Sequence, residues 1–193
     1  FIIMYSISTR FNAILYNMMF GMIAMGALNY FDAFFGSHDI KGASFSMNKM
    51  DMFIKDRLYD EQVASFQFDM KADITGLFNW NTNIIFLSIV CEYEGDQSTK
   101  NQVVVWDQRI PRTDEQNHKL NLQDEWVEYY LSDMTSGLQG KDVKVFLRWE
   151  QMTTIGPYYA GKELIGKFTM PEELKNSKKR AAKPGPMRRK ENY

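Results

Sequence analysis

Between Arg10 and Asp32 the chain reads FNAILYNMMFGMIAMGALNYF, 21 residues without one Asp, Glu, Lys, Arg or His. At about 1.5 Å per residue, a helix of that length crosses a hydrocarbon core roughly 30 Å thick. A core helix of a soluble domain has no need of so long an uncharged run. A secretory signal peptide also pairs a basic start with an apolar segment, and Ala24, Gly26 and Ala27 offer small residues for cleavage. Its apolar region, however, usually runs only ~7 to 15 residues. The expected division is therefore a short N-terminal stretch over 1–10, a retained transmembrane helix over 11–31, and a juxtamembrane linker over 32–42.

Two amides strain that reading. Asn17 and Asn29 must each find a hydrogen-bond partner inside or near the bilayer. Gly21, Ala24 and Ala27 recur at a spacing of three, a small-residue stripe against which a second helix can pack closely. The flanks set an orientation. Arg10 lies on the short side, whereas Asp32 and Asp39 open the other before any basic residue, so the positive-inside tendency expects a cytosolic N-terminus. Tyr30, Phe31, Phe34 and Phe35 would then mark the far interface.

About 140 residues follow the helix before the tail, enough for one domain with its own core. The aromatic share of 15% and only five prolines fit an ordered fold. A formal charge of −1 conceals a split: residues 175–193 hold eight Lys or Arg against Glu191, a balance of +7, leaving −8 for the remainder. An acidic domain with a short basic tail argues against nucleic acid as the main partner. The tail, 172–193, has no apolar face to bury and is expected to be solvated, with lipid headgroups within reach. With a single cysteine no internal disulfide can form, and no Asn-x-Ser or Asn-x-Thr acceptor occurs.

Periodicity expects a mainly β domain over 43–171. Phe66, Phe68, Met70, Ala72 and Ile74 alternate with Gln67, Asp69, Lys71 and Asp73, the mark of a strand with one buried face. Ala43, Phe45 and Met47 alternate too, but Met50, Met52 and Ile54 resume on the other parity, which implies a bulge. Residues 84–93 are apolar on both parities and read as a central strand covered on both sides. Residues 101–110 return beside them as a hairpin. Leu120 and Leu122 alternate, 126–131 reads as an aromatic strand, Val143, Val145, Leu147 and Trp149 face inward, and Leu164, Gly166, Phe168 and Met170 close the pattern. Seven or eight short strands with turns between them imply an antiparallel β-sandwich, with the four tryptophans contributing to its core.

Catalytic chemistry is hard to assemble. His38 and His118 sit in no motif, and nothing resembles G-x-S-x-G. Cys91 shares the parity of Ile85, Leu87 and Ile89, which expects a buried, inert thiol. Met18 and Met22, with Met19 and Met25, have a spacing that thioether ligation of Cu(I) uses, yet methionines on a lipid-facing helix are ordinary. No cofactor or metal is expected, and the acidic loops lack calcium-site spacing.

Three stretches are more distinctive: Ala72-Asp73-Ile74, Leu77-Phe78-Asn79-Trp80-Asn81, and Asn101-Gln102-Val103-Val104-Val105-Trp106-Asp107. With Ser-x-x-Phe-Asn leading into one span, Gly137-Leu138-x-Gly140, and Val143-x-Val145-x-Leu147-x-Trp149, they resemble the signal peptidase complex subunit 3 family. The resemblance runs from about Met4 to Met170. The residues before Met4, the basic extension, and the missing glycosylation acceptor depart from it. It implies a type II, single-pass protein of the endoplasmic reticulum membrane whose luminal sandwich packs on the catalytic subunit of a hetero-oligomer. Serine-protease chemistry would belong to that partner, and contact with nascent preproteins would be indirect.

Ser46-Met47 is similar to the Ser-Met of signal peptidase active subunits, but Asn48 and Lys49 follow where that motif continues with a proline after one residue. A strand serine is the better reading, because the base and orienting group are missing. Phe78, Asn79, Trp80, Asn81, Asn101, Gln102, Trp106, Asp107 and Trp149 are accordingly expected to be structural, Trp80 and Trp106 above all, each costing ~3 to 5 kcal/mol on truncation if it is buried. A free-standing membrane-tethered binding module is the second reading of the same residues, since fold alone does not give function.

Overall fold

The computed structural model describes residues 6–35, 39–55, 61–95, 100–135, 137–154 and 158–174. The chain opens with α1 (Ile7–Phe35), 29 residues long. Ser6 caps it: its Oγ accepts the Thr9 N–H at 3.2 Å, as a helix-initiating serine does. The helix begins before the uncharged run and outlasts it, so residues 32–35, expected as linker, are helical. No glycine or proline falls between Gly26 and Gly36 to end it sooner. Asn17 answers its own difficulty, its Nδ2 donating to the Ala13 carbonyl one turn back at 2.8 Å.

The remainder is an antiparallel β-sandwich of eight strands. They are β1 (Lys41–Lys55), β2 (Gln62–Asp73), β3 (Thr82–Tyr93), β4 (Asn101–Pro111), β5 (Lys119–Trp126), β6 (Leu131–Asp133), β7 (Asp142–Thr153) and β8 (Tyr159–Thr169). One sheet runs β1-β2-β5 with β6 also on β2; the other runs β4-β3-β7-β8. Short 3-10 turns at Thr75–Leu77 and Glu115–His118 link the layers at the end nearest the helix. Phe53, Phe66, Phe68, Met70 and Ile74 from the first sheet meet Ile85, Leu87, Ile89, Val145 and Leu147 from the second in one core. Phe68 meets Trp106 edge to face at 6.5 Å across the layers, a preferred aromatic geometry.

Bulges account for most departures from simple alternation. In β1 the register slips between Met47 and Lys49 and again between Met50 and Met52. The second slip puts Phe53 inward, fully buried, in place of Met52 and Ile54. In β8 the extra residue is Ile165: Gly166 pairs with Val145 and Leu164 with Phe146, so Ile165 is buried and Leu164 faces out. Residues 126–131 are not one strand. β5 and β6 pair successive parts of β2, and the chain between them loops away from the ladder.

Of the four tryptophans, Trp106 and Trp149 are buried, while Trp80 is 52% exposed and Trp126 36%. Trp80 lies on a loop, where no opposing sheet covers it. Trp149 lies across Gly161, its partner on β8; a Cβ there would stand 2.3 Å from the indole.

Candidate functional site

The Phe78-Asn79-Trp80-Asn81 stretch is the joint between helix and sandwich. Asn79 folds it: its Oδ1 accepts the backbone N–H groups of Asn81 and Thr82 at 3.0 and 2.7 Å and the Thr82 hydroxyl at 2.8 Å, an asparagine turn. That turn presents Asn81 Nδ2 to Asn29 Oδ1 of α1 at 2.7 Å, and both amides are buried. Asn29 thereby finds the partner its position demanded. Phe78 stacks on His118 with ring centroids 4.0 Å apart. Trp80 turns outward while its carbonyl accepts from Arg112 Nη1 at 2.8 Å.

The 101–107 stretch joins the two sheets. Its register slips opposite Ile89 and Val90, making Val105 an extra residue in β4. The Val105 carbonyl leaves its own ladder and accepts the N–H groups of Glu128 and Tyr129 at 2.9 and 3.0 Å. This is where the chain between β5 and β6 loops away from β2. Asn101 opens the strand opposite Tyr93, and Asp107 accepts a hydrogen bond from the Tyr129 hydroxyl, whose pKa it raises. Gln102 Nε2 donates to Glu92 at 2.8 Å, and Lys100 and Lys162 stand 3.0 and 3.9 Å from that carboxylate. Partial burial opposes ionisation of Glu92, but the bonds from Gln102 and Lys100 and the Lys162 charge outweigh it and hold its pKa below the ordinary value.

A third joint closes the end far from the helix. Asp133 Oδ1 accepts the Thr135 N–H at 2.8 Å and its Oδ2 the Gly137 N–H at 3.1 Å; Gln62 Oε1 accepts from Leu138 N–H at 2.8 Å. Leu138 is fully buried, and Gly140 takes a φ of +66°, which glycine adopts without strain.

The outer faces of the two sheets differ in kind. That of the first is polar over Ser44, Ser46, Gln67, Asp69, Lys71, Lys119 and Asn121, with Trp126 beside Gln67 and the half-buried pair Ile54 and Val63 toward the end far from the helix. That of the second carries a cross-strand row, Val104-Val90-Phe146-Leu164, one residue from each strand. Val104 and Leu164 are 41% and 45% exposed. Polar rows flank it: Gln102-Glu92-Lys144 on one side and Asp107-Ser88-Arg148-Lys162 on the other. A shallow groove along the row is lined by Val90, Gln102, Phe146, Arg148, Gly161 and Lys162. Strand β3 was expected to be covered on both sides. One side is core; the other is this face, with no second layer over it among the described residues.

Residues weighed for catalysis do not converge. Ser46 pairs with Asp69, and His118 directly precedes Lys119, which pairs with Asp73. Four residues of β2 separate the two levels, about 13 Å. Burial pushes the Cys91 thiol up to about 12, the mark of an inert sulfur. His38 and the tail beyond 174 lie outside the described residues. On α1, Gly21, Ala24 and Ala27 are exposed, and nothing lies within 4 Å of a Cβ built at Gly21.

A family profile described as signal peptidase subunit matches residues 4–173. The chain belongs to the signal peptidase subunit family. It is 32% identical over 111 residues to signal peptidase complex subunit 3 of Saccharomyces cerevisiae, covering 57% of this chain and 59% of that one. It is 36% identical to the Drosophila melanogaster protein of that name and 37% identical to the Homo sapiens one, each over 90 residues, 46% of this chain and 49% of the relative. The matched stretches span about half to three-fifths of these relatives' length. The match to the signal peptidase subunit family takes in all three joints. Their partners Arg112, His118 and Tyr129 had no periodic signal to mark them. The outward row had one: the two-sided apolar character of β3.

Proposed function

We propose that this chain is a non-catalytic accessory subunit of the endoplasmic reticulum signal peptidase complex. It supports removal of signal peptides from nascent secretory and membrane proteins by scaffolding the catalytic subunit. The observation that carries the reading is the family match over 4–173. The separation of Ser46 from His118 and the buried thiol agree with leaving bond cleavage to a partner. In this reading α1 spans the membrane once with its N-terminus cytosolic, and the sandwich is luminal. The Val104-Val90-Phe146-Leu164 row docks another subunit, its apolar strip excluding water and its polar borders setting register. The exposed Gly21-Ala24-Ala27 stripe meets a partner's helix within the bilayer. A rigid domain with its own anchor then holds the catalytic subunit at a fixed height above the membrane.

Purification in mild detergent tests this. An accessory subunit brings other small membrane proteins with it at fixed stoichiometry. A chain that runs alone would instead be a free-standing membrane-tethered binding module.

A further inference from the structure

The sandwich is tied to α1 low on the helix, not at its end. Asn29, which takes the bond from Asn81, lies three residues before Asp32, about 5 Å short of the end of the uncharged run. The helix continues to Phe35, about 9 Å past Asn29. The loop carrying Asn81 therefore descends beside the helix to the depth where the apolar run ends. Gly76, at the head of that loop, is close-packed on the chain leaving the helix: a Cβ there would stand 3.2 Å from the Asp39 carbonyl.

At this depth the loop exposes Trp80, the residue beside Asn81, more than half open to its surroundings. Tyr30 and Phe31 are exposed on the helix at the same level, each 58%. Arg112 is exposed too, and one guanidinium nitrogen holds the Trp80 carbonyl at 2.8 Å. An indole wants an apolar bed with a polar edge, and a guanidinium matches phosphate oxygens; the boundary between acyl chains and headgroups supplies both.

We propose that the Trp80 loop is a bilayer-interface anchor: the indole enters the headgroup boundary beside α1, and Arg112 meets phospholipid phosphate. The occupant is the lipid surface because the loop is bonded to the membrane-crossing helix at interface depth. The inference rests on the reading of α1 as that helix. With this contact the sandwich is held at two points, which fixes its tilt as well as its height.

The test is tryptophan fluorescence of the full chain in phosphatidylcholine vesicles carrying bromine either near the headgroup or near the chain end. One indole of four reports the loop. Shallow bromine is expected to remove up to about a quarter of the emission beyond what deep bromine removes, since an interfacial indole sits at headgroup level. Trp80→Phe, at an exposed position, should abolish that difference while leaving the unfolding midpoint unchanged. Equal quenching of both proteins, in vesicles from which alkali does not extract the chain, would overturn the anchor alone. Extraction by alkali would overturn the membrane-crossing reading with it.

Discussion

Asn81 Nδ2 lies 2.7 Å from Asn29 Oδ1, so a loop of the sandwich and the last apolar turn of the helix share one buried amide pair. A buried amide needs hydrogen-bond partners, and this bond supplies one to each side chain while tying the domain to its anchor. Removing one amide leaves the other buried with a lost bond. Asn29→Ala and Asn81→Ala are each expected to cost ~1 to 3 kcal/mol, and the double variant less than the sum. Thermal unfolding in detergent of the four proteins of the cycle measures the coupling. Strict additivity would mean the pair is not coupled.

The tryptophans separate into two kinds. Trp106 is buried against Phe68, and Trp106→Ala should cost ~3 to 5 kcal/mol. Trp80→Ala, at an exposed loop position, should stay within ~0.5 kcal/mol. Denaturant unfolding of both variants checks the contrast.

Gly161 is required by its neighbour and not by its backbone. Gly161→Ala drives a methyl into the Trp149 indole, 2.3 Å from Cζ2, and overpacking of this kind costs ~1 to 3 kcal/mol. Adding Trp149→Leu to make room should recover part of that loss, read as a partial return of the unfolding midpoint.

Acid should loosen the fold through two carboxylates. Asp73 is held below the ordinary range mainly by hydrogen bonds from Thr75, which outweigh its desolvation, with the Lys119 and Lys41 charges adding to them. Glu92 is held low against its own desolvation by Gln102, Lys100 and Lys162. Both pKa values are lower in the folded state, so their stabilisation is complete above the unfolded values near 4 and is lost as pH falls through the folded ones. Unfolding midpoints from pH 6 down to pH 2 should fall, and Glu92→Gln should flatten part of that fall. A profile unchanged by Glu92→Gln would remove Glu92 from the explanation.

How far the sequence could be read depends on where the period of two survives. β2 and β7 keep it: Phe66 to Ile74 and Val143 to Trp149 alternate unbroken, and every expected inward residue is buried. β1 and β8 lose it at bulges, so Phe53 and Ile165 exchange faces with their neighbours, and alternation cannot place an extra residue. The break between β5 and β6 was hidden for a related reason: the segment leaves one ladder for the Val105 carbonyl, a partner distant in sequence. In β3 the apolar residues were legible on both faces, but periodicity cannot say whether the second cover comes from the same chain. The Phe78 to Asn81 motif stood out by composition, whereas its partner Asn29 was marked only as an amide in need of one.

The most direct test of the docking account uses the exposed ends of the outward row. Val104→Glu with Leu164→Glu changes two side chains already 41% and 45% open, so the isolated chain should keep its unfolding midpoint. Mild-detergent purification of this double variant is predicted to recover markedly fewer of the other complex subunits than the unaltered chain does. Recovery of those subunits at undiminished stoichiometry would contradict the assignment of this face.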